Sequence, residues 1–149
     1  MAKKLVNLLL AKSILETIFV GTLAVVVYTK LFPPTFHGWG EAVVEEKAIY
    51  GWVVNNARPD DRVEVEVYVD GRYSGRARAD GPRPDIVAAG WSKDPFHGYA
   101  VWISKLPPGK HESRVYALHR SDDGRKCTLQ LIGDPIQFEV DSHDNWKRR

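Results

Sequence analysis

Few side chains in this sequence are spaced for catalysis. The five histidines (His37, His97, His111, His119 and His143) and the single Cys127 give no zinc-type spacing. None of the serines sits in a Gly-x-Ser-x-Gly elbow. Asp60-Asp61, Asp122-Asp123 and Asp134 fall in turn-like stretches, where Asp bonds its own backbone. No stretch has the alternating acids and terminal Glu of a calcium loop, and no carboxylate pair stands out as a glycosidase couple. Cys127 alternates with Leu129 and Leu131 and reads as a buried, inert thiol. The sequence therefore predicts a protein that is not an enzyme and holds no cofactor or metal. What remains is aromatic: five tryptophans, whose rings suit partner contact, sugar stacking or a membrane interface. Trp39, just past a diproline, is read as a membrane-interface anchor. Trp91 and Trp102 are read as partner or glycan contacts.

Two unlike segments carry these residues. Residues 1–32 run LVNLLLAKSILETIFVGTLAVVVYTKLF after a basic start and stop at Pro33-Pro34. Ile14 to Phe32 is 19 residues, about 28 Å of helix, close to a bilayer core. The exit Val-Tyr-Thr-Lys-Leu-Phe-Pro-Pro has no small-x-small cleavage site, so the span reads as an uncleaved signal anchor. Lys3 and Lys4 precede it, and Glu41, Glu45 and Glu46 follow, which predicts a cytoplasmic N-terminus and an outer C-terminal domain. Residues 1–13 are expected to be a cytoplasmic or interfacial N-terminus, 14–32 the transmembrane helix and 33–37 a linker. Asn7, Lys12 and Glu16 are the candidate partner contacts in the helix; Lys12 and Glu16 are four apart and share a face. No histidine lies in residues 1–36, so the span offers no imidazole to hold a haem or chlorophyll. Of 21 Lys and Arg and 19 Asp and Glu, this segment has four and one, leaving 17 and 18 for the rest. A domain so balanced, at about −1, lacks the basic face of a nucleic-acid binder.

From Gly38 onward the pattern is β. Val63, Val65, Val67 and Val69 alternate with polar residues, followed by the turn Asp70-Gly71 and a second alternating run to Ala79. A two-residue loop would put Arg76 and Arg78 on the core face. A three-residue loop, pairing Val67 with Tyr73, Val65 with Gly75 and Val63 with Ala77 on the inner face, is therefore expected. Further strands are predicted at 48–54, 99–104, 112–120, 127–131 and 136–140, with a short first strand at 38–44. Turns fall at Pro107-Pro108-Gly109, Asp122-Asp123-Gly124 and Gly133-Asp134-Pro135. Seven to eight strands over residues 38–141 predict an antiparallel β-sandwich, followed by a polar tail, 142–149, that frays.

The stretch Gly51-Trp52, Val67 to Gly71, Gly75 to Ala79, Arg83-Pro84-Asp85-Ile86, Gly90, His97-Gly98-Tyr99, Leu106, Gly109-Lys110-His111 and Ala117 resembles an immunoglobulin-like module of bacterial envelope and glycosyltransferase-associated proteins. The likeness covers about 90 residues, with Tyr99 where phenylalanine is usual. It implies a sandwich in an extracytoplasmic setting, no catalytic residues, a core position for Trp52, and turn-shaping hydrogen bonds from His97 and His111. Arg83-Pro84-Asp85 is expected to pin a crossing loop through the guanidinium fork.

The layout predicts a non-catalytic, single-span accessory subunit of a bacterial inner-membrane complex, partnered by membrane subunits and the bilayer. In layout alone it is similar to the accessory subunit of double-ring reaction-centre–light-harvesting photosystems. The alternative is a membrane-tethered carbohydrate-binding module with a glycan as its ligand.

Overall fold

The computed structural model describes residues 2–31, 36–121, 124–125 and 127–148. The chain forms two compact units, divided after Pro33. The first is one helix, α1 (Ala2–Leu31). Its sequence is apolar on every face and holds no proline, so nothing interrupts it. Val6–Tyr28, 23 residues, is long and apolar enough to cross a membrane. Residues 2–13 belong to the same helix, and Lys12 as well as Glu16 falls inside the apolar stretch. Thr17 and Thr22 donate their hydroxyls back to the carbonyls of Ser13 and Ile18, which satisfies both within the helix.

The second unit is a sandwich. β1 (Phe36–Val43), β2 (Ala48–Asn55), β6 (Phe96–Trp102) and β5 (Gly81–Pro82) form one sheet in that order. β4 (Arg72–Arg78), β3 (Glu64–Val69), β7 (Gly109–Arg120), β8 (Cys127–Val140) and β9 (Trp146–Arg148) form the other. All pairings are antiparallel. Leaving aside β4 and β9, this is the strand order of an immunoglobulin sandwich, the fold the resemblance implies. β1 starts at Phe36, inside the segment expected as linker; 33–35 lie outside the described residues. So do Asp122 and Asp123 of the expected turn. The core is the alternating set: Val63, Val65, Val67 and Val69 are buried against Ile49, Val53, Val101, Val115 and Phe138. Gln130 closes one flank, its side-chain amide accepting from the Phe36 N–H (3.2 Å) and donating to the Phe36 carbonyl (3.3 Å).

The β3–β4 hairpin corrects the expected register. The turn is two residues, Asp70-Gly71, both with positive φ (51° and 75°), the geometry that matches strand twist. Val69 pairs with Arg72 and Tyr68 with Tyr73; the ladder then slips, so that Val67 meets Gly75 and Val65 meets Ala77. This bulge around Ser74 returns Gly75 and Ala77 to the inner face and Arg76 and Arg78 to the outer. The chain solves the arginine problem inside the strand rather than in the loop. Tyr73, expected inside, is exposed. A second bulge makes 127–140 one strand: Gly133, with φ 63°, bends it where a turn was expected. Cys127, Leu129 and Leu131 are exposed on the uncovered face of β8, which corrects the reading of Cys127 as buried.

The segment expected to fray is ordered by packing. Trp146 is buried and stacks on Phe138, rings 4.3 Å apart. β9 pairs with the end of β8. Lys47, in the β1–β2 turn, meets Asp144 (2.5 Å), and Arg148 meets Glu41 of β1 (2.8 Å).

His111 locks the same end of the sandwich. Its Nδ1 faces the Asp70 carboxylate (2.6 Å) and its Nε2 the Pro107 carbonyl (2.8 Å). Both partners are acceptors, so both nitrogens must donate and the ring is an imidazolium. Burial opposes that charge, but the bonds to Asp70 and Pro107 and the Asp70 charge outweigh it, holding the imidazole above its ordinary 6.5. The unfolded chain lets go of this proton first. The contribution to stability is thus complete below the ordinary value and is lost as pH rises through the folded one. We expect the melting temperature of the sandwich to fall as pH rises above the ordinary imidazole value of 6.5, and His111→Gln, which can donate to only one acceptor, to flatten that slope. Equal slopes for the two proteins would refute the doubly protonated lock.

Candidate functional site

The outer face of the four-stranded sheet carries an aromatic strip. In β2, Ile49 and Val53 point into the core, which turns Tyr50 and Trp52 outward. The register sets Trp39 of β1 opposite Trp52, and Trp102 of β6 opposite Ala48. Trp91 arrives from the segment after α2 (Pro84–Ala88) and stacks on His37 at 3.9 Å. Trp52 lies 5.1 Å from His37 and 6.4 Å from Trp91. At the other end Trp102 stands edge-on to Tyr50 at 6.3 Å. Tyr50 and Trp52 are two positions apart in β2, about 7 Å, so the clusters adjoin; Trp102, opposite Ala48, is four positions along from Trp52, about 13 Å. Trp39, Trp91 and Trp102 are 46%, 45% and 65% exposed, so three large rings meet solvent where a folded monomer would normally cover them. Trp102 was expected opposite Tyr99, Val101 and Ile103, and it is. Trp52, given a core place by the resemblance, is on the outer face instead. Its alternation with Ile49, Gly51 and Val53 carried that signal, and His37, two residues before Trp39, was the ring overlooked.

Two glycines hold this platform flat. Tyr99 lies beneath β1 and β2 and donates to the Trp39 carbonyl (3.2 Å). A Cβ on Gly40 would sit 2.5 Å from the Tyr99 Oη, and one on Gly51 would overlap both that oxygen and the Trp39 carbonyl. Burial raises the Tyr99 phenol well above the usual tyrosine range, so it stays a neutral donor.

The other expected residues serve the fold. Arg83 caps α2 and grips the Asp85 carboxylate through Nε (2.9 Å) and Nη2 (2.6 Å), while its stem lies over Gly98. The Arg-Pro-Asp sequence thus starts a one-turn helix rather than crossing as a loop. His97 is fully buried and its Nε2 lies 2.9 Å from Ser92 Oγ. That hydroxyl donates to the Pro59 carbonyl (3.2 Å), so His97 Nε2 is the donor in their contact. Burial, then Arg62, holds the imidazole below its usual value, and hence neutral. A serine whose proton is committed to a carbonyl, beside a sealed imidazole, is no nucleophile and base. Asp70 and His111, both quoted for the resemblance, meet each other. Among the described residues, no group of three His, Cys, Asp or Glu side chains comes together as a metal ion requires.

In the helix, Lys12 and Glu16 pair at 3.7 Å, both largely exposed. Asn7 is about 140° around the axis from Lys12, so the three do not form one patch.

No family model matches the chain, and neither a curated protein nor a solved structure does.

Proposed function

We infer that the protein is a non-catalytic, single-span accessory subunit of a membrane protein complex, anchored by α1 and docked on its partner through the aromatic strip. The strip carries the reading: exposed tryptophans beside a part-buried tyrosine on a sheet face have the composition of protein-interface hot spots. A carbohydrate module would set two rings in one groove with polar groups between them. Here Trp91 and Trp102 line separate grooves at opposite ends. The helix supports the same reading, because the Lys12–Glu16 pair lies inside its apolar stretch and is costly against lipid unless a neighbouring helix covers it. The basic residues Lys3 and Lys4 favour a cytoplasmic N-terminus in a bacterial inner membrane, with the sandwich periplasmic.

The test is purification from native membranes in mild detergent, with a tag after Arg149, mass spectrometry and an absorption spectrum. The expected result is stoichiometric recovery of integral subunits, falling at least about tenfold for the Trp52→Ala, Trp102→Ala double variant while its melting curve holds. Pigment bands in the spectrum would identify a photosynthetic host. A chain that emerges alone overturns the reading and leaves the tethered carbohydrate module, for which glycan arrays with Trp91→Ala and Trp102→Ala are the measurement.

A further inference from the structure

β6 is flanked on both sides only near Gly98. β2 runs along its last five residues on one side, from Trp52 opposite Gly98 to Ala48 opposite Trp102. On the other side β5 is two residues long and pairs only Gly98 and Phe96. Ala100 and Trp102 therefore have a neighbour on one side alone. The Ile103 N–H bonds to the Lys47 carbonyl on the β2 side (2.9 Å). Hydrogen-bonding direction alternates along a strand, so the N–H and C=O of Ala100 and Trp102 point the opposite way, into the gap. The gap is a groove of about 460 Å³ between the two sheets, floored by Ala77, Pro82 and Tyr99 and walled by Trp102. Arg78 stands on its lip, exposed, and makes no ion pair among the described residues.

The geometry points to β-strand addition: an extended segment of the partner protein pairs with the β6 edge at Ala100–Trp102, placing an apolar side chain on the groove floor and a carboxylate against Arg78. Such a segment satisfies both kinds of group the gap presents, the outward backbone donors and acceptors and the apolar floor. The lining sets Arg78 and Arg83 against Asp80, a net positive charge that favours an acidic residue in the segment. Trp102 belongs to both this groove and the aromatic strip, so one segment leaving the edge meets the docking face at once. This rests on the accessory-subunit reading.

Hydrogen exchange on the tagged chain, alone and with its co-purified subunits, tests the pairing residue by residue. The expected result is that the Ala100 and Trp102 amides exchange quickly in the chain alone and at least about tenfold more slowly in the complex. Ala100→Pro supplies the second arm: it removes one outward N–H without touching the β2 ladder, a position where an edge strand accepts proline. It should lower subunit recovery at least about tenfold and leave the exchange of β2 unchanged. If subunits are present but Ala100 and Trp102 exchange as in the free chain, strand addition is overturned and the accessory-subunit reading stands. If they are protected only in a homodimer, the occupant is a second copy and the proposal fails. If no subunit is recovered at all, the accessory-subunit reading itself has failed. An Ala100→Pro chain that does not fold leaves the exchange of the unmodified chain to decide.

Discussion

Phe138→Ala is expected to cost the sandwich about 3 to 5 kcal/mol. Phe138 is fully buried and joins two devices that close one end of the fold. Trp146 stacks on one side of it at 4.3 Å, and the His111 ring lies at 5.6 Å. Alanine would leave a cavity bordered by an indole with no stacking partner and by a charged imidazole. Two losses should therefore appear together in thermal or urea unfolding: a lower midpoint, and earlier exposure of the Trp146 indole by fluorescence quenching. A midpoint within about 1 kcal/mol of the parent would mean that β9 and the His111 lock hold without the ring.

Gly51→Ala should cost about 3 kcal/mol. The added methyl has nowhere to go, because the Trp39 carbonyl is backbone and Tyr99 is pinned beneath two strands. Gly40→Ala separates these obstacles. Its nearest neighbour is the Tyr99 Oη at 2.5 Å, with the next atoms at 3.3 Å and 3.4 Å. Adding Tyr99→Phe should restore much of the stability lost in Gly40→Ala and little of that lost in Gly51→Ala. Additive losses in both double variants would dismiss Tyr99 as the reason for these glycines.

The elements that could be read from the sequence were those fixed by local alternation. The four valines ending at Val69 declared their inner face, and Trp102 declared its outer one, because the period of two needs no knowledge of the partner strand. The breaks in periodicity were not legible. The bulge near Ser74 inserts one residue and the kink at Gly133 two, and a composition rule assigns such insertions to the nearest turn. Tertiary contact decided the rest. Trp146 sits in a polar context and is ordered by Phe138. The site was legible as residue type but not as assembly. Trp39, Trp91 and Trp102 stood out alone, whereas the stack of Trp91 on His37 spans 54 positions of sequence.

The Gln130 clasp on Phe36 also has a mechanical meaning. Phe36 is the first residue of β1, the strand that follows the helix in the chain, so tension along the chain reaches the sheet there. The load meets a side-chain amide gripping both sides of one residue, and behind it the ladder of β1 with β2. Gln130 belongs to β8, in the opposite sheet. A pull on the tether is thus divided between both layers at its point of entry, and β1 is not left to peel away from β2 one rung at a time.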